Sequence, residues 1–262
     1  VKIRALALPF FGLLAGCEIH FEGEQEEVRV SICQPVMFEQ TPLTLCTVEP
    51  AKHEIGVVLA PEGNETPYRS LRALAHFTEE VDGPEIALAV NGGMFDEDGM
   101  PIGYYVEDGR RIGMLNQNDG PGNFHLMPNG IFFGRTGGPW QVMDTPAFAR
   151  DIQDRPDFAT QSGPMLVIKG ELHPEIQPDG QSRKIRNAVG VDALGRAHFI
   201  ISEAPISFGK LARYYRDVLN VGNALYLDGS VSMIWDPATG RLDTGASIGP
   251  LIVVQNRAEI AE

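Results

Sequence analysis

The chain predicts a single α+β domain built on a mixed, mainly antiparallel sheet with few helices. Short runs rich in β-branched and apolar residues recur along most of its 262 residues, each bounded by turn-forming residues. Only two stretches carry apolar residues at helical spacing. The links between runs are short, and no internal repeat or low-complexity linker divides the chain. A hydrophobic content of 43% at this length allows a substantial core.

At the N-terminal end, Lys2 and Arg4 precede an apolar run from Ala5 to Leu14, followed by Ala15-Gly16-Cys17. The run falls short of the roughly 20 apolar residues that span a bilayer and fits the apolar core of an export signal. The small residues before Cys17 resemble the lipobox of bacterial lipoproteins. That resemblance implies a signal peptide over residues 1–16 and a lipidated Cys17. Glu18 does not resemble the Asp that signals inner-membrane retention, so an anchor in the outer membrane, on the periplasmic face of a bacterial cell envelope, is expected. The competing reading is a buried N-terminal hairpin strand. Residues 17–27 are acidic and read as a tether, which leaves 28–262 as the folded domain.

Strands are expected at Val28 to Ile32, Leu43 to Thr47 and Ile55 to Leu59. If the chain is exported, a cross-strand disulfide between Cys33 and Cys46 is permitted, and two unpaired core thiols are the alternative. A helix is expected over Tyr68 to Glu80, with Pro67 suited to its first turn. Ile86 to Val90 is continuously apolar, which marks a strand buried on both faces. Further strands are read at Ile102 to Val106, Gly130 to Gly134, Gln141 to Met143, Met165 to Ile168, Ala188 to Asp192, His198 to Ser202, Ala224 to Leu227, Ser232 to Trp235 and Leu251 to Gln255. Asp192 to Arg196 reads as a hairpin turn, and Asp144 to Asp157 as a mobile or inserted loop. The clearest helix spans Ser207 to Leu219, with Ser207 as its cap and Phe208, Leu211, Ala212, Tyr215 and Leu219 on one face.

Four glycine-bearing segments set polar residues against strand ends: AVNGGMF (89–95), GPGNFHLMPNG (120–130), ATQSGPM (159–165) and ALYLDGSVS (224–232). Asp228 sits at a strand end beside Gly229, where it either overlooks a cleft or makes an Asp-Gly turn. Ser230 lies close enough in sequence to orient a carboxylate or a ligand hydroxyl. Arg186 stands just before a strand and offers a planar fork to a phosphate, whereas Arg183 and Lys184 read as solvated surface charge. Asn91-Gly92-Gly93 and Gln161-Ser162-Gly163-Pro164 are either anion nests or tight turns. Asn123 and Asn129 can be turn residues, and Asp96-Glu97-Asp98-Gly99 reads as a surface turn.

The net charge of -14 argues against a nucleic-acid partner. There is no close cysteine pair, no His-x-x-x-His, no Gly-x-Ser-x-Gly elbow and no phosphate-binding Gly-Lys-Ser/Thr loop. No metal and no cofactor are therefore expected.

Taken together, Asn91-Gly92-Gly93-Met94-Phe95, Ser162-Gly163-Pro164, Arg186 before Ala188-Val189-Gly190, and Leu227-Asp228-Gly229-Ser230 resemble the phosphodiester glycosidase family over about 55–254. The family includes the lysosomal uncovering enzyme, which removes N-acetylglucosamine from a phosphodiester on mannose. NFHLMPNG, ATQSGP and ALYLDGS look closest to a bacterial branch. A single Gly follows Asp228 where the uncovering-enzyme branch has a longer Gly run.

The resemblance implies a hydrolase that breaks the bond between a sugar C1 and a phosphodiester oxygen. Asp228 would act as nucleophile or base and Arg186 as the cation for the departing phosphate. Asn91, Gly92, Gly93, Ser162, Gly163 and Ser230 would bind the sugar phosphate. A second carboxylate, if used, would be Asp192 or Glu203. The alternatives are a non-catalytic envelope lipoprotein that binds a phosphorylated glycan or lipid, and a metal-dependent phosphodiesterase.

Overall fold

Strands that are apolar on both faces need cover on both faces, and here three sheets share one interior while a helix closes the outside of each. The computed structural model describes residues 29–257 apart from 82, 84 and 230. The signal-peptide, lipidation and tether readings over 1–27 therefore lie outside the described residues, as does Ser230. Chain order is β1 (Cys33–Phe38), β2 (Thr41–Val48), β3 (His53–Val58), α1 (Leu71–Glu80), β4 (Ile86–Asn91), β5 (Tyr105–Glu107), β6 (Arg110–Gly113), β7 (Gly130–Gly134), β8 (Trp140–Asp144), α2 (Thr145–Asp151) and β9 (Phe158–Ser162). It continues with β10 (Met165–Ile168), β11 (Glu171–Leu172), β12 (Asn187–Val191), β13 (Ala197–Ser202), α3 (Phe208–Arg213), β14 (Asn223–Tyr226), β15 (Ile234–Asp236), β16 (Arg241–Leu242) and β17 (Leu251–Asn256).

The first sheet runs β1-β2-β13-β12-β14-β10-β11, the second β16-β15-β4-β17-β3 and the third β6-β5-β9-β7-β8. The named strand pairs within them are antiparallel. Alternate residues point to opposite faces of a strand. Val189, Leu225, Val90, Ile252 and Phe132 accordingly enter the shared interior, together with Trp140 and Phe199. Their neighbours Ala188, Ala224 and Tyr226 meet α3 on the outside. Ala89, Leu251 and Val253 meet Leu71 and Leu74 of α1. Ile131, Phe133 and Ala159 meet Phe148, from α2. The continuous apolar runs are thus explained without parallel strands.

Each helix starts at a side-chain cap. Ser70 accepts from the Ala73 N–H at 3.1 Å, so α1 begins at Leu71. Ser207 caps α3 through the Lys210 N–H at 3.2 Å, and the coil continues as a π-helix over Tyr214–Val218. The expected loop over 144–157 is corrected: Asp144 caps α2 through the Ala147 N–H at 2.9 Å, and Phe148 is buried. Its Pro146 falls in the first turn, where a missing N–H costs no helical bond.

Two strand expectations also change. The first strand among the described residues is Cys33–Phe38, and 29–32 of the expected Val28 to Ile32 are not strand, Val28 itself lying outside the described residues. It contains Pro35 and lies at the sheet edge, the position where a strand tolerates proline. Cys33 and Cys46 are register partners on β1 and β2 and form a disulfide. Phe158–Ser162, polar in its second half, is nonetheless a fully buried strand.

The hairpin turn at Asp192 is built as expected. Its carboxylate accepts the Leu194 and Arg196 N–H groups at 2.9 and 3.0 Å and contacts His198 Nε2 at 2.9 Å. Burial works to raise this carboxyl's pKa, but the hydrogen bonds from His198, Arg196 and the backbone outweigh it and hold the pKa at about 2. The depressed carboxyl contributes stability that is complete above the ordinary Asp range and is lost as pH falls toward 2. That contribution is about 2 kcal/mol. Urea melts between pH 5 and pH 2 should therefore be less pH-dependent for Asp192→Asn than for the parent chain. Replacing both Cys33 and Cys46 by Ser should cost about 3 kcal/mol, the value for a loop of this length, measured by denaturant unfolding.

Candidate active site

Four strand ends meet at one edge of the molecule. Asn91 closes β4, Ser162 closes β9, Arg186 immediately precedes β12, and Asp228 follows β14. Antiparallel pairing brings the start of β12 beside the end of β14, with Ala188 opposite Tyr226 and the Leu227 N–H on the Asn187 carbonyl at 3.2 Å. Pro164 joins them by accepting the Tyr226 N–H at 3.1 Å. Residues distant in sequence therefore share one rim: Asn91, Gly92, Gly93, Ser162, Gly163, Arg186 and Asp228.

Two buried amides fasten this rim. Asn91 Nδ2 donates to the Asp228 carbonyl at 2.8 Å, and Asn91 Oδ1 accepts the Met233 N–H at 2.8 Å. Asn187 Nδ2 donates to Asn91 Oδ1 at 3.0 Å and to the Asn91 carbonyl at 3.1 Å. The Asp228 N–H returns to the Gly92 carbonyl at 3.1 Å. The backbone of Asp228 is thus held on both sides by the segment 91–92. Asn91 spends its amide on this frame.

The glycines serve close approach. A Cβ on Gly93 would overlap the Gln161 carbonyl, and one on Gly163 would lie 2.8 Å from the Phe124 carbonyl. The Gly92 N–H donates to the Pro250 carbonyl at 2.8 Å and the Gly93 N–H to Thr160 Oγ1 at 3.1 Å. These two donors hold the loop to the sheets and are not turned to a ligand. Beneath them, Gln161 accepts the Tyr104 and Asn116 N–H groups at 2.8 and 3.0 Å and donates to the Asn116 carbonyl at 2.7 Å. Asn129, read as a turn residue, is fully buried and donates to the Phe124 carbonyl at 3.1 Å. Ser162 Oγ is sealed and has no hydrogen-bond partner among the described residues.

Arg186 is 1% exposed. Its Nε donates to the Ile206 carbonyl at 2.9 Å, Nη1 to the Tyr226 hydroxyl at 3.1 Å, and Nη2 to the Ser182 carbonyl at 3.2 Å. The guanidinium lies 3.7 Å from the centre of the Phe208 ring. Among the described residues no ion pair reaches it, so burial pulls its pKa down while Tyr226 pulls it up. Tyr226 is the link to the carboxylate. Its hydroxyl also meets the Gly229 N–H, and its pKa is raised by burial, with Arg186 opposing and Asp228 adding to the rise.

An open cleft of about 510 Å³ lies against this rim, lined by Lys184, Ile185, Gly229, Val231, Ser232 and Met233, with Asp243 and Thr244 on its wall. The two further carboxylates stand elsewhere. Asp192 is at the opposite end of β12 from Arg186, locked in its hairpin turn. Glu203 is near the rim but paired with Arg241 at 2.6 Å. Burial acts to raise the Glu203 pKa, and hydrogen bonds from Arg241 and Thr44 outweigh it. Each of the two is already held by an arginine, Asp192 by Arg196 at 2.7 Å and Glu203 by Arg241. Asp96 Oδ1 accepts the Asp98 and Met100 N–H groups at 3.0 and 2.8 Å, which makes 96–99 a surface turn.

A family model described as phosphodiester glycosidase matches residues 84–255. The chain belongs to the phosphodiester glycosidase family. The matched range contains all four of the segments that meet at this rim. A protein of Escherichia coli (strain K12) described as uncharacterized protein YigE is 39% identical over 153 residues. The match covers 58% of each chain, so it spans little more than half of that relative's length. Two solved structures share the fold. One is the zebrafish N-acetylglucosamine-1-phosphodiester alpha-N-acetylglucosaminidase catalytic domain, auto-inhibited by its pro-peptide, with a TM-score of 0.59 and 17% identity over 86% of this chain and 82% of that one. The other is a hypothetical protein from Synechocystis, with a TM-score of 0.55 and 16% identity over 86% of this chain and 61% of that one.

Asn187, Tyr226 and Thr160, which also build the rim, carry no signal in the sequence of this family member. The first two lie inside strand-like runs, where their hydrogen bonds leave no periodic signal. Replacing Asn91 by the near-isosteric Leu should strand the Met233 N–H and the Asp228 carbonyl. The expected cost is about 2–4 kcal/mol in denaturant unfolding.

Proposed function

We propose that this chain hydrolyses the bond between a sugar C1 and a phosphodiester. The observation that carries the proposal is the rim itself: Asn91 clamps the Asp228 backbone, and Gly229, the next residue, lines an open cleft. Phosphate departs as a stable anion, which lessens the demand for a strong general acid. A single carboxylate at C1 with positive charge nearby then suffices. Asp228 is that carboxylate, attacking C1 or activating water. Arg186 supplies charge from beneath and aims Tyr226 at the Gly229 backbone. The likeness of fold to the zebrafish N-acetylglucosamine-1-phosphodiester alpha-N-acetylglucosaminidase supports this substrate class.

We place the protein in a bacterial cell envelope, lipid-anchored through Cys17 with the outer membrane favoured. The Cys33–Cys46 disulfide supports an oxidising compartment. The decisive assay offers purified protein a panel of sugar-1-phosphodiesters in water enriched in oxygen-18. The label should enter the sugar. Label in the phosphate would mean attack at phosphorus, and binding without turnover would mean a receptor for phosphorylated glycans or lipids. Asp228→Asn and Arg186→Ala should each lower kcat by at least about a thousandfold, with circular dichroism unchanged.

A further inference from the structure

The fold seals away the cation expected to meet the phosphate. Arg186 is 1% exposed, and each of its three nitrogens has a protein acceptor. Arg186 is not among the residues that line the cleft. Lys184, two residues earlier and on the same strand approach, lines the cleft instead.

The backbone of Lys184 is firmly set. Its N–H donates to the Ile206 carbonyl at 3.2 Å, and its carbonyl accepts the Ile206 N–H at 2.8 Å. The same Ile206 carbonyl accepts Arg186 Nε. Ser232 Oγ donates to the Ile185 carbonyl at 3.3 Å, tying this strand to the opposite wall. Asp243, the acid on that wall, is already engaged by Arg241 at 3.0 Å and by the Ile234 N–H at 3.2 Å. Among the described residues the Lys184 ammonium makes no ion pair. A flexible, hydrated ammonium at the mouth of a site is suited to an anion that arrives from solvent.

We infer that Lys184 is the side chain that touches the phosphoryl group of the ligand, and that Arg186 is a positioning residue holding the Lys184 strand and Tyr226. The inference deepens the sugar-phosphodiester reading and rests on it for the identity of the ligand. Ile185, Val231 and Met233 line the remainder of the cleft and offer an apolar surface to a sugar face or an acyl group on the far side of the phosphate.

The test titrates inorganic phosphate into the folded protein by calorimetry at low ionic strength, and measures steady-state kinetics on a sugar-1-phosphodiester. Lys184→Gln should weaken phosphate binding and raise KM by about tenfold each, with kcat within about twofold. Lys184→Arg should restore both, and high salt should shrink the difference. Arg183→Gln, at a neighbouring exposed position outside the cleft lining, should change neither. The inference falls if Lys184→Gln binds phosphate as the parent does, if Arg183→Gln weakens binding equally, or if the parent does not bind phosphate. Lys184-dependent phosphate binding with no turnover of any phosphodiester would overturn the hydrolase reading and leave this site standing.

Discussion

The clasp of Asn91 and Asn187 is the constraint on which the rest of the site depends. Each amide is buried, and a buried amide left unpaired is costly, so the two side chains and the backbones they hold must take their places together. Through them, β4 of the second sheet is joined to β12 and β14 of the first. The Asp228 backbone is fixed as a by-product of that joint. The third sheet enters through Thr160, which takes the Gly93 N–H. A carboxylate whose main chain is held in this way loses little freedom on meeting a ligand, which is what preorganised chemistry requires.

Arg186 illustrates a second constraint, the cost of burying charge. With no ion pair to it among the described residues, the guanidinium is stabilised by carbonyls, a phenol and an aromatic face. Such an arrangement leaves the guanidinium charge without a partner ion among the described residues beneath the rim. The field is transmitted through Tyr226, whose hydroxyl meets both Arg186 and the Gly229 N–H. A mobile ammonium at the cleft and a sealed guanidinium below it would divide the labour between capturing an anion and shaping the site.

The scaffold and the site were legible in the chain to different degrees. Ile86 to Val90 announces a doubly covered strand because every residue in it is apolar, and the structure buries both of its faces. The cap at Ser207 and the turn at Asp192 are local, made by atoms within four residues, and both were readable. Cys33–Phe38 escaped because Pro35 argues against a central strand and only the sheet order shows that it is an edge. Phe158–Ser162 escaped because the partners of Thr160 and Gln161 lie far away in the chain, at Gly93 for the one and at Asn116 and Thr145 for the other. In the 144–157 segment, Pro, Asp and Arg suggested a loop, and burial of Phe148 made it a helix.

Composition, spacing and local hydrogen-bonding chemistry settled the class of fold, most of the strands and the short segments that carry the family. These depend on neighbours along the chain or on the period of a strand or helix. Which charge meets solvent did not follow from them. Arg186 and Lys184 are two residues apart and chemically alike, yet one is sealed under Tyr226 and Phe208 and the other lines a cleft. Exposure belongs to the packing of sheets against one another, and no stretch of sequence contains both sides of that contact.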